Sequence, residues 1–164
     1  MTTDPVDKIL AQWQRERPDL DVSPMGVIGR MGRLAKHLER AIGETFSEFE
    51  LTVGEFDVLA TLRRSGHPYR LSPTALFNTL MVTSGTMTHR LDRLEQAGLV
   101  KRIPDPSDRR GTSIELTERG FDRIEKAVAA HVANEHRILS ALKQSEREAL
   151  SVLLRKLLLS FEAE

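Results

Sequence analysis

The sequence predicts a mainly helical fold with one small β-hairpin, on three observations. Apolar residues recur at helical spacing through most of the chain. Ser, Thr, Pro and Gly at the ends of those stretches divide them into separate helices. Two short runs with apolar residues in alternation, LVKRI and TSIEL, flank the turn-rich tip PDPSDRRG and read as a hairpin with a long loop. At 164 residues the chain holds about one domain, with room for a helical appendage.

The elements follow in order. Pro5 to Arg17 carries Ile9, Leu10 and Trp13 at helical spacing and ends before Pro18, because the residue preceding a proline disfavours helix. RPDLDVSP is a linker. Ser23 and Pro24 open a longer helix, with Val27, Ile28, Met31, Leu34, Ala35, Leu38, Ile42 and Phe46 along one stripe. Thr52 and Glu55 form a capping-box pattern for the next helix, which stops at Ser65 and Gly66. Ser72 and Pro73 open a short helix to about Leu80, and another runs from near Thr83 and Ser84 to Gly98, which suits the left-handed cap. After the hairpin, Thr117 caps a helix to about Leu142, and Ser145 with Glu148 opens the last one. That final stretch, ALSVLLRKLLLSF, has leucines on nearly every face, a surplus that calls for burial against a second subunit.

Charge is balanced overall, 24 basic against 24 acidic residues, but unevenly distributed. Residues 1–62 hold seven basic and eleven acidic groups, 63–110 nine and four, and 111–164 eight and nine, so the middle carries a positive excess that can mark an anion site. The absence of cysteine excludes disulfides, thiolate metal sites and thiol redox sensing. No apolar run has the length of a membrane span and MTTDPVDK lacks the features of a signal peptide, so a soluble cytoplasmic protein without membrane partners is expected. No nucleophile with a base, phosphate loop or paired catalytic carboxylates argues for an enzyme. His37, His67, His89, His131 and His136 form no metal-ligand motif, and no cofactor is expected.

Short helix, turn, helix and hairpin in that order, across the basic segment, form a helix-turn-helix followed by a wing. In the second helix, Met87, Leu91 and Leu94 share one face and hold it to the core. Thr86, His89, Asp92, Arg93 and Gln96 then point outward, while Arg90 falls about 60° from the apolar centre, where its charge needs a partner. Ser84, Thr86, Thr88, His89 and Arg93 are the candidates for base edges or phosphates of double-stranded DNA. An outward Asp92 repels phosphate unless a neighbouring Arg pairs with it. At the wing tip, Arg109 and Arg110 suit phosphate or minor-groove contact, with Asp108 placed to orient one guanidinium.

The run MTHRLDRLEQAGLVKRIPDPSDRRGTSIELTERG resembles the recognition helix and wing of the MarR family of bacterial transcriptional regulators, above all in the wing residues Asp108, Arg109 and Arg110 followed by LTERG. The resemblance extends over nearly the whole chain. It implies a winged helix-turn-helix over 51–116, flanked by N-terminal helices over 1–50 that serve ligand binding and dimerisation and by C-terminal dimerisation helices over 117–164. It further implies a homodimer on a near-palindromic promoter site, usually repressing, and released by a small molecule.

A narrower resemblance, to the urate-responsive members, assigns four ligand-binding roles: Trp13 in the added N-terminal helix, Asp57 before the helix-turn-helix, Arg90 in the recognition helix and Arg102 at the base of the wing. Without it, Trp13 reads as core, Asp57 with Thr61 and Arg64 as a solvated face, and Arg102 as an outward strand charge. The mechanism expected from it pairs Asp57 with Arg102 in the DNA-bound state, until urate or a similar planar anion stacks near Trp13 and takes over the arginine. Phenolic acids or antibiotics are the alternative effectors, and a dimeric winged-helix interaction module without ligand sensing is the alternative function.

Overall fold

The computed structural model describes residues 3–80, 84–104 and 111–162, with the backbone alone at Ser84. The chain divides into two compact units, 1–44 and 45–164. In the first, helix α1 (Pro5–Glu16) begins at a capping box that uses two aspartates. Asp4 Oδ1 accepts from the Val6 and Asp7 amides at 2.7 and 2.9 Å, and the Asp7 carboxylate accepts from the Asp4 amide at 2.8 Å. The same carboxylates hold Arg30 of α2 (Ser23–Ser47), at 2.7 Å from Asp4 and 2.6 Å from Asp7. Arg30 and the Asp7 amide together keep the Asp4 carboxyl below its ordinary value, since both favour the ionised form. Most of the apolar stripe of α2 is uncovered: Val27, Ile28, Leu34 and Leu38 are exposed, and Phe46 at its end is buried.

The second unit is built around α3 (Val53–Arg64), whose Val58, Leu59 and Leu62 are completely buried. Its start is the expected capping box. Thr52 Oγ1 accepts from the Glu55 amide at 3.3 Å, and Glu55 Oε2 accepts from the Thr52 amide at 2.8 Å. There follow β1 (Arg70–Leu71), α4 (Pro73–Leu80), α5 (Ser84–Gln96), β2 (Val100–Pro104), β3 (Thr112–Leu116), α6 (Glu118–Ile138) and α7 (Gln144–Glu162). A short 3-10 turn, Leu139–Ala141, ends α6 before the expected Leu142.

The strands form an antiparallel sheet in the order β1-β3-β2, so the expected hairpin is two-thirds of a larger sheet. Strand β1 was not expected. It is two residues long and exists through its register with β3, Arg70 opposite Glu115 and Leu71 opposite Ile114, a long-range pairing that no local pattern announces. Arg70 Nε reaches Glu115 at 2.8 Å and Lys101 of β2 reaches it at 2.7 Å, so one carboxylate ties both outer strands to the centre. These cations hold the Glu115 carboxyl below its ordinary value.

The joints on either side of the hairpin are made by glycine. Gly98, at φ +68°, ends α5 in a Schellman motif: its amide donates to Glu95 O and the Leu99 amide to Leu94 O, each at 2.9 Å. Thr117 caps α6 by accepting from the Gly120 amide at 3.0 Å, and its hydroxyl donates to Gly98 O at 2.7 Å. Gly120 lies so close to the wing that a Cβ there would stand 1.9 Å from Leu99 O. The LTERG run thus joins α6 to both ends of the turn that launches β2.

Candidate nucleic-acid interface

Helix α5 presents the faces its spacing predicts. Met87, Leu91 and Leu94 are buried to 3% exposure or less, while Thr86, Thr88, His89, Arg93 and Gln96 are exposed and Arg90 lies at the boundary. The wing-tip residues Asp108, Arg109 and Arg110 lie outside the described residues, as does the Ser84 side chain.

Arg102 is held against α5. Its Nη2 pairs with Asp92 at 2.6 Å, its Nη1 pairs with Glu95, and its amide donates to Glu95 Oε1 at 3.2 Å. Both carboxylates belong to α5; the Asp57–Arg102 pair belongs to the expectation for the DNA-bound state, and here Arg102 clasps the wing strand to that helix. The reason is local: Gly98 turns β2 back along the last turn of α5, where Asp92 and Glu95 project at i, i+3 spacing. Asp92 thereby acquires the arginine partner that an outward carboxylate needs beside DNA.

Arg90 and Arg93 both lead to the first turn of α3. Arg93 Nε stands 2.8 Å from Glu55 Oε1; the carboxylate is 6% exposed and the arginine 53%. The Arg90 guanidinium lies over Gly54, where a Cβ would come within 2.3 Å of its Nε and Cζ. One turn on, Asp57 is half-buried. Burial raises its carboxyl above the ordinary value, opposed by Arg90, then Arg64 and His131. This side of α3 is therefore only partly solvated: Thr61, one turn beyond Asp57, is 3% exposed, while Arg64 is exposed. The His131 ring packs 5.0 Å from Phe46 and 5.2 Å from Phe56, whose own rings stack at 3.9 Å.

The structure thus brings Asp57 and Arg90 into one electrostatic neighbourhood and commits Arg102 to α5. Trp13 is 42% exposed in the N-terminal unit, not a core residue. Gly54, Glu55 and Glu95 are the participants that sequence reasoning missed. Glu55 was legible as a helix cap, but its second partner comes from another helix. Among the described residues no group of three His, Asp or Glu side chains could hold a metal ion, and no helix is long and apolar enough to cross a membrane.

Comparison with known proteins places this geometry in context. The MarR family model matches residues 51–112, the segment from the start of α3 to the start of β3. The HTH-type transcriptional regulator PecS of Dickeya dadantii is 49% identical over 149 residues, covering 91% of this chain and 90% of its own. The multiple antibiotic resistance protein MarR of Escherichia coli is 31% identical over 139 residues, covering 84% of this chain and 93% of its own. A mutant of that MarR, crystallised with operator DNA, matches 95% of this chain and 99% of its own at a TM-score of 0.70 and 27% identity. BpsR of Bordetella bronchiseptica, whose DNA binding is regulated by 6-hydroxynicotinic acid, matches 80% of this chain and 91% of its own at a TM-score of 0.69 and 26% identity. The fold shared with these regulators is mainly helical, a winged helix-turn-helix with helices on either side.

Proposed function

This chain belongs to the MarR family of DNA-binding transcriptional regulators, and from that premise we propose that it is a cytoplasmic homodimeric repressor, released from a near-palindromic promoter site by urate or a similar small organic anion. The observation that carries the reading is the outward face of α5, with Thr86, Thr88, His89 and Arg93 exposed beside a wing strand clasped to the same helix. A recognition helix and wing held as one body meet base edges and backbone together. Ser84 and the wing-tip group Asp108, Arg109 and Arg110 complete the proposed DNA contacts. In the proposed division of labour, residues 1–50 serve ligand and dimer, 51–116 DNA, and 117–164 the dimer again. The dimer is supported by α7, which buries none of its residues within the chain.

For the effector, Asp57, Arg90 and Arg102 are the proposed charged ligands, and Trp13 keeps the stacking role that the resemblance gives it. The clasp changes the proposed mechanism. An anion that competes with Asp92 and Glu95 for Arg102 loosens the wing from α5, and a negative charge near Asp57 disturbs Arg90 on its Gly54 seat. Weakening of DNA binding by one to two orders of magnitude requires only about 1–3 kcal/mol of coupling. Arg102→Ala is expected to abolish the response to urate, and an unchanged response sinks the mechanism.

The function itself is tested by footprinting the intergenic DNA upstream of the gene, with and without urate. Protection of a two-fold site that disappears with urate is the expected result; protection indifferent to urate excludes it as effector. The alternative of a phenolic or aromatic acid gains support from BpsR and 6-hydroxynicotinic acid, so that acid belongs in the same titration. Binding without steep salt dependence would instead favour an interaction module, because phosphate contacts release counterions.

A further inference from the structure

We infer that Glu55 is a positioning residue for DNA binding: through its buried carboxylate, the first turn of α3 fixes Arg93 in the orientation that meets a DNA phosphate. The inference rests on the reading of α5 as the DNA-contacting helix and goes beyond it, since Glu55 lies on α3 and is only 4% exposed.

Four facts support it. Glu55 is locked before Arg93 arrives, because its Oε2 accepts from the Thr52 amide at 2.8 Å and from the Thr52 hydroxyl at 2.9 Å. Its other oxygen, Oε1, faces Arg93 Nε at 2.8 Å. Arg93 remains half exposed although its partner is buried, so anchoring at Nε leaves the outer part of the guanidinium toward solvent. Arg93 is also exposed on α5, away from the buried Met87, Leu91 and Leu94, on the side proposed above to meet DNA.

An unrestrained arginine loses much rotamer freedom on seizing a phosphate, and a planar fork held at one nitrogen has lost most of it beforehand. Because the anchor is a helix cap in the core, it does not move with the surface. Gly54 completes the platform: adjacent residues of one turn receive Arg93 and Arg90, the two arginines of α5.

The charge makes the test sharp. Glu55→Gln removes one negative charge per protomer beside DNA, so bulk electrostatics alone predicts tighter binding to any duplex. Positioning predicts the reverse for the specific site. We would measure affinities of the full-length protein for a duplex of its upstream intergenic region and for a random duplex of equal length, across a range of salt. Glu55→Gln is expected to lower specific affinity about 5- to 10-fold, with random-duplex affinity unchanged or raised. In an Arg93→Ala background, Glu55→Gln is expected to add nothing. Arg93→Lys keeps the charge without the fork and leaves the cap intact, so it should reproduce the loss even if Glu55→Gln folds poorly.

Specific affinity equal to or above wild type in Glu55→Gln, wild-type behaviour of Arg93→Lys, or additive losses in the cycle would each overturn the inference. Arg93→Ala should also flatten the dependence of log K on log salt, and an unchanged slope removes the phosphate contact and the inference with it. If wild-type protein itself binds both duplexes equally, the failure lies in the DNA-binding reading and not in the role of Glu55.

Discussion

Helices α5 and α7 both carry apolar faces, and the chain treats them in opposite ways. In α5 the three apolar side chains Met87, Leu91 and Leu94 are buried by the chain's own α3, α4 and sheet. In α7, Val152, Leu153, Leu154, Leu158, Leu159 and Phe161 all remain between 44% and 76% exposed. The first helix is complete as folded and can offer its polar face to a ligand of high charge. The second is stable only in part as folded, since exposed leucines lose the burial of roughly 1.5–3 kcal/mol each that a covered position would supply. One part of the chain is complete alone, and the other is left open to the second copy proposed above.

The comparison is broken most severely at α7. Replacing Leu154 and Leu158 by Glu puts two charges on one helical face and is expected to leave a folded monomer by sedimentation. Affinity for a two-fold site should then fall by roughly a hundredfold or more, because the second half-site no longer benefits from linkage. A variant that stays dimeric with unchanged affinity would show that α7 is not the assembling surface.

A smaller effect tests the self-sufficient part. Gly120→Ala must push Leu99 O away from a position 1.9 Å distant, and backbone cannot yield as a flexible side chain does. We expect a loss of about 1–3 kcal/mol in denaturant unfolding, with dimerisation intact. A neutral result would mean that the joint between α6 and the wing is soft.

The smallest effect concerns Asp57. Its carboxyl is raised by burial above the ordinary 3.8, so the folded chain holds that proton more tightly than the unfolded chain. The associated stability is present in full below pH 3.8 and lost as pH rises through the folded value. Asp57→Asn removes this titration. The variant should therefore gain in melting temperature relative to wild type as pH rises from the acid range toward neutrality. A difference independent of pH would show that Asp57 carries no such burden.

What was legible in the sequence follows from distance along the chain. The Thr52–Glu55 capping box, the Thr117 cap and the left-handed Gly98 cap each span a few residues, and each appeared where the pattern placed it. The face of α5 was equally legible, because helical geometry fixes which residues oppose Leu91. Strand β1 was not, since it depends on Glu115 and Ile114. Arg90 announced its need for a partner through its angle, but its seat on Gly54 involves another helix. Arg102 was not legible locally either: a resemblance pairs it with Asp57 in the DNA-bound state, while here the turn at Gly98 brings it to Asp92 and Glu95.

The uncovered leucines of α7 have a further consequence, one of dose. Where the competent species contains two chains and the single chain is incomplete, its concentration at low abundance grows as the square of the number of chains present. Halving the supply then removes three-quarters of the active regulator, and a modest change in synthesis or dilution during growth becomes a steep change in promoter occupancy. If a second copy covers α7, as proposed, a helix left open by its own domain sets a threshold that needs no effector at all.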